Sequence, residues 1–298
     1  MRLLILSFML SLFWPPGAFS RTWHVRNDGA GDAHTIQAAV DSAAARDTIL
    51  VGPGTYMYSL PVIVELKDSL TVISEEGPHN TIVNGIYLNF ANYSNIIGFT
   101  FEGDQFGILL EWSHHLLVDN NIVRYTSASG IYSAVASEII IRNNLIHGCA
   151  TSGISSVDAA GNIEIRNNTI SHCSFCGIYT DAYPIVIANN IISFNEIGIR
   201  AFNPVTLQCN DVYGNGVNYA LWGMGDPTGT NGNISEDPLF CGVDPATSGN
   251  YYLQSISPCA PDNHPQSYPC GLIGLRPVFC GATAVENATW GRIKMLYR

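Results

Sequence analysis

Lysine is nearly missing from this 298-residue chain: only Lys67 and Lys294 occur, and 13 Lys plus Arg face 24 Asp plus Glu, a formal charge of -11. Binding to nucleic acid needs a basic patch that neutralises phosphates, so this composition excludes nucleic acid as a partner. Charged residues of either sign make up only 12%. A surface built instead from Asn, Ser, Thr, Gly and Tyr suits neutral, hydroxyl-rich ligands such as glycans. Long apolar runs are missing as well, apart from one at residues 3–14. That run follows Arg2 and precedes the small-x-small triplet Ala18-Phe19-Ser20, so residues 1–20 read as a secretory signal peptide. The mature chain is then expected to start at Arg21, to carry no membrane span, and to be secreted, periplasmic or on the cell surface.

What the sequence does contain is repetition. The dipeptide Gly-Ile recurs at Gly107, Gly130, Gly153, Gly177 and Gly198, and an Asn pair keeps the same beat at Asn120-Asn121, Asn143-Asn144, Asn167-Asn168 and Asn189-Asn190. A period of twenty-odd residues holding two or three short β runs is one coil of a β-solenoid. In the strand before each Asn pair, period-two alternation places Leu116, Ile139, Ile163, Ile185 and Val205 in one inward column. Val118, Ile141, Ile165, Ile187 and Leu207 form the next, while Asp119, Arg142, Glu164 and Arg166 point outward. The Asn pair falls where the coil must bend. Stacked amides can satisfy one another there, so an inward ladder through residues such as Asn167 is expected, ending where Cys209 replaces Asn.

These repeats resemble the right-handed parallel β-helix of the pectate-lyase-like superfamily. The lead-in from Trp23 to Gly31 and the stretch from His34 to Tyr56 resemble the strand, capping helix and first coil that open such proteins and pectin methylesterases; GPHNTIVNG, from Gly77, resembles their second coil. The expected fold is therefore all-β: a right-handed parallel β-helix of about 7–8 coils of 21–24 residues. The organisation expected is an N-terminal strand and capping helix over residues 21–47, the solenoid over 48–218, a Cys/Pro/Gly-rich C-terminal cap over 219–281 and a tail over 282–298. Ile36, Ala39, Val40 and Ala43 would form the buried helix face, and helix and cap would shield the two open ends of the solenoid.

Eight cysteines in an exported chain point to disulfides. In the cap, Ser257-Pro258 and Tyr268-Pro269 put turns just before Cys259 and Cys270, which suggests Cys259–Cys270 and Cys241–Cys280 among three possible pairings. Cys149 and Cys173 stack on adjacent coils within bonding range. With His147 and His172 they also supply zinc-type ligands at one corner, though without short motif spacing.

The outward face of the Gly-Ile strand offers a different site. One column reads Leu109, Tyr132, Ser155, Tyr179, Arg200 and the next Glu111, Ala134, Val157, Asp181, Phe202. Tyr132, Tyr179, Asp181 and Arg200 could stack on sugar rings and bind their hydroxyls. The resemblance also implies lyases that combine clustered carboxylates, a calcium ion and a basic residue; Asp158, Asp181 and Arg200 are the nearest candidates, and calcium would enter only on that reading. The paired-carboxylate motifs of the fold's glycosidases are absent. His114 and His115, as strand neighbours, should face opposite ways, and Asn92, Asn233 and Asn287 head glycan-acceptor triplets. The function expected is an exported, non-catalytic glycan-interacting module. The alternatives are a lyase, hydrolase or epimerase acting on acidic polysaccharide, and a structural adhesin or scaffold.

Overall fold

The computed structural model describes residues 20–158, 161–241 and 251–280. The expected signal peptide, all but Ser20, and the tail from residue 282 lie outside the described residues. Three parallel sheets wind around one apolar interior as a right-handed parallel β-helix, each coil giving one short strand to each sheet. The Gly-Ile sheet has eight strands, from Val62–Glu65 through Ile131–Ala134 and Cys176–Thr180 to Val217–Leu221. A nine-stranded long sheet, which carries the residues before each Asn pair, runs from Thr22–Val25 to Thr206–Gln208, and an eight-stranded flank sheet from Gly54–Tyr56 to Asp211–Tyr213. Both inward columns read from the sequence are buried, from Leu116 to Leu207.

The repeated glycine has a steric cause. A Cβ built on Gly153 would sit 2.4 Å from Cγ2 of Ile170 and 2.9 Å from the carbonyl oxygen of Gly177 on the next coil. Gly107, Gly130, Gly177 and Gly198 meet the same two kinds of neighbour, so the column demands close approach.

The Asn pair divides its labour differently from the expectation. The first member takes the left-handed conformation (φ 53° to 55° at Asn120, Asn143, Asn167 and Asn189), and the second points into the core. Asn144 Nδ2 donates to Asn168 Oδ1 at 3.0 Å, Asn168 to Asn190, Asn190 to Asn210 and Asn210 to Asn233, each at 3.0 Å. Each amide is also tied to backbone: Asn168 Oδ1 accepts from Asn144 N–H at 2.9 Å and its Nδ2 donates to the Ile141 carbonyl at 2.9 Å. The ladder residue is therefore Asn168 and not Asn167. Nor does the ladder stop at Cys209, which keeps the left-handed role at φ 53° while Asn210 and Asn233 carry the amide stack onward. Asn233 is fully buried, which removes its triplet as an exposed glycan acceptor.

At the N-terminal end the helix Ile36–Ser42 buries Ile36, Ala39 and Val40, with Ala43 at its C-cap. Thr35 Oγ1 accepts from Ala38 N–H, and Lys67 Nζ donates to the carbonyls of Val40, Asp41 and Ala43 at 2.8 to 2.9 Å. A side-chain cap at the start and a cation on the last carbonyls stabilise so short a helix.

Only the first part of the C-terminal segment covers the last coil of the solenoid, where Cys209 N–H donates to the Asn231 carbonyl at 3.0 Å and Val212 N–H to the Ile234 carbonyl at 3.1 Å. Residues 251–280 lie along the solenoid's flank, where Tyr251, Leu253, Cys259 and Ile273 pack with Ile122, Leu145 and Ile191 of the flank sheet. Leu275 N–H donates to Thr169 Oγ1 at 3.1 Å, Asn189 Nδ2 to the Cys270 carbonyl at 2.8 Å, and Arg276 Nη2 meets His79 Nε2 at 3.1 Å. That cover explains why strands such as Leu145–His147 and Thr169–Ser171 are buried on both faces. The disulfides are Cys209–Cys270 and Cys241–Cys280. Cys270 is thus tied to the solenoid and not to Cys259, which remains a buried thiol donating to Asp211 Oδ2 at 3.0 Å.

Two titrating groups lie under this strap with opposite signs. Burial raises the Asp211 carboxyl to about 7, so its contribution to stability is full below its ordinary 3.8 and is lost as pH rises toward 7. Burial, then Arg124 and His172, lowers His147 to about 4, so its contribution is full above its ordinary 6.5 and is lost as pH falls toward 4. Asp211→Asn is expected to raise unfolding stability at pH 8 by on the order of 2 kcal/mol and to leave a protein that weakens steadily from pH 6.5 to pH 4. Urea titrations across that range check it; a variant no more stable at pH 8 would refute the buried-acid assignment.

Candidate ligand-binding face

The Gly-Ile strands set their outward residues in direct register: Leu109, Tyr132, Ser155, Tyr179 and Arg200 are successive neighbours across the sheet. Small Ser155, only 7% exposed, forms a floor between the two tyrosines. Loops before and after the strands add rings at the margin. Phe106 lies 5.0 Å from Tyr132, Phe175 6.4 Å from Tyr179, and Phe202 5.5 Å from Tyr179, measured between centroids. The Arg200 guanidinium sits 5.9 Å from the Phe175 ring and 5.3 Å from that of Phe202. Rings that brace one another keep their edges and outer faces fixed, which suits flat, hydroxylated rings better than flexible ligands. Burial raises the Tyr132 hydroxyl above its usual value, with Glu111, Asp158, Asp181 and Tyr179 adding to it. This phenol therefore stays a neutral donor and acceptor.

The three lyase candidates are only partly assembled. Asp158 and Asp181 are neighbours, but Asp181 Oδ1 accepts from the Asp158 backbone N–H at 2.8 Å, which gives the carboxylate a structural duty at the corner. Arg200 forms no ion pair with either. Calcium wants six to eight oxygens, and among the described residues no three His, Cys, Asp or Glu side chains converge.

The four corner ligands divide between inside and outside. Cys149 and Cys173 point into the solenoid core as separate thiols, each facing its own coil's carbonyl, His147 and Ser171 respectively, so the structure does not join them. His147 points outward beneath the strap, between Tyr125 and Tyr251. His172, left-handed at φ 56°, shares a 2.7 Å bond with Ser171 Oγ and packs on Phe194. His114 and His115 depart from strand alternation because His115 is left-handed at φ 58°; both rings contact Tyr93 and their centroids lie 5.1 Å apart.

Beyond Arg200 the face ends in a cavity of about 490 Å3, lined among others by Phe202, Tyr219, Trp222, Met224 and Asp226. Sequence columns reach Phe202 but miss Trp222, Met224 and Asp226, because the chain leaves its repeat after Leu221. The one visible signal was an exposed-type aromatic, Trp222, directly after the last Gly-sheet strand.

A family model described as periplasmic copper-binding protein (NosD) matches residues 40–254. Among solved structures, a pectate lyase from Bacillus sp. N165 in complex with trigalacturonate aligns at TM-score 0.55 and 15% identity, over 74% of this chain and 83% of that one. Pectate lyase Pel9A aligns at TM-score 0.49 and 12% identity over 88% and 98%. The A-module of the Azotobacter vinelandii mannuronan C-5 epimerase AlgE6 aligns at TM-score 0.46 and 17% identity over 61% and 66%. No curated protein matches the chain. At these identities the likeness is one of fold.

Proposed function

The chain belongs to the NosD family, and we propose that it acts outside the cytoplasm as a glycan-interacting module that binds without cleaving. The observation that carries this reading is the braced row of Tyr132, Tyr179 and Arg200 on one flat, outward sheet, with phenylalanines on its margins. Two disulfides and the family's periplasmic description support export. The family description also names copper, whose sites are built from converging imidazole, thiolate or thioether groups. The described residues do not fit such a centre, since Cys149 and Cys173 face the core while His147 and His172 face outward.

A glycan array followed by titration calorimetry and product analysis tests the reading. Tyr179→Ala is expected to weaken binding by ~1 kcal/mol or more through lost ring contact. Glu164→Ala, on the long sheet, should leave affinity unchanged. Appearance of cleavage products would move the protein to the lyase or hydrolase class; no binding to any glycan would leave the scaffold reading.

A further inference from the structure

Arg200 differs from the other arginines on the solenoid. Arg26 pairs with Glu75, Arg124 with Glu102, Arg142 with Asp119 and Arg166 with Glu164. Among the described residues Arg200 makes neither an ion pair nor a hydrogen bond, although the chain carries an excess of acidic side chains and Arg200 is partly buried. A half-buried guanidinium normally finds an acceptor. Here aromatic rings flank it instead, which fixes the planar fork without consuming its donors.

The same residue opens the cavity at the end of the tyrosine row. Of its lining, Trp222 is 74% exposed, so a large indole face stands free at the rim. Asp226 lines the cavity as well and spends one oxygen on the Thr228 N–H at 2.9 Å. A cavity of about 490 Å3 falls within the range that holds one or two sugar units. Its contents are one unneutralised bidentate cation, one free stacking surface and one carboxylate for hydroxyls.

We infer that this cavity binds a sugar unit bearing a carboxylate, with Arg200 as the fork that takes the acid group and Trp222 as the platform for the ring. This deepens the glycan-binding reading and rests on it: neutral units would lie along Tyr132 and Tyr179, and the acidic unit would anchor at Arg200. Fork-to-carboxylate pairing is both strong and directional, which would fix the register of a polymer along the sheet.

The test is calorimetric titration of the mature protein with a homo-oligomer of a hexuronic acid and with the same oligomer after reduction of its carboxyl groups. The acidic form is expected to bind at least tenfold tighter, with the difference shrinking as salt rises. Arg200→Gln should erase that difference while retaining affinity for the reduced oligomer, and Arg200→Lys should recover part of it. Trp222→Ala should weaken both forms. Equal binding of both oligomers by the wild type, or a preference that survives in Arg200→Gln, would overturn the carboxylate assignment and leave the glycan-binding face intact. Absence of binding to either oligomer, with none to other glycans, would bring down both.

Discussion

Asn168→Ala is expected to cost about 4 kcal/mol in urea unfolding, whereas Asn167→Ala, one residue earlier, should cost about 1 kcal/mol. The side chain of Asn168 accepts from Asn144 N–H and Nδ2 and donates to the Ile141 carbonyl and Asn190 Oδ1, all within a fully buried column. Truncation leaves the Asn144 N–H and the Ile141 carbonyl in an apolar interior, and each orphaned group costs ~1 to 3 kcal/mol. Asn167 contributes chiefly a left-handed backbone at φ 53°, and its amide reaches the Leu272 carbonyl only at 3.5 Å. Alanine in that conformation costs ~1 to 2 kcal/mol. Similar losses in both variants would refute the division of labour within the pair.

Gly153→Ala is the second substitution expected to do serious harm, at ~3 kcal/mol or more. The added methyl would stand 2.4 Å from a branch of Ile170, itself fully buried, and 2.9 Å from the Gly177 carbonyl. The first contact forces a core side chain out of its rotamer; the second pushes two coils apart at the spacing their ladder bonds require. Gly225→Ala serves as the comparison, because nothing lies within 4 Å of a Cβ there. It should shift stability by less than ~0.5 kcal/mol. Denaturant midpoints for the two variants decide the matter, and a tolerated Gly153→Ala would mean the column is kept for a reason other than close approach.

Much of the fold could be read from the sequence because a solenoid writes its geometry as a period. The Gly-Ile beat and the inward columns from Leu116 to Leu207 needed only alternation and a ruler. What misled was the bend. Alternation carried past Asp119 points Asn120 inward, but a left-handed residue resets the phase, so Asn121 is the one that enters the core. His115 resets it in the same way and brings two adjacent imidazoles onto Tyr93. The Cys209–Cys270 bond was not legible because the turn signals beside the cysteines lie within the C-terminal segment, and sequence separation says nothing of a segment folded back along the flank. Tyr132, Tyr179 and Arg200 were legible as a column. Phe106, Phe175 and Trp222 were not, since loops carry them to the face and loops keep no period.

An array of coils that touch only their neighbours behaves as a one-dimensional chain, able to fray from either end a coil at a time. The segment over residues 251–280 changes that arithmetic. It touches the second coil through Arg276 and His79, the middle through Leu275 and Thr169, and the late coils through Asn189 and the Cys209–Cys270 bond. Such a longitudinal clamp couples repeats that are far apart, so opening the last coil also strips contacts from the second. The solenoid should therefore melt as one unit, with no plateau of partly unwound forms, and hydrogen exchange should rank its coils by depth beneath the clamp and not by distance from the ends.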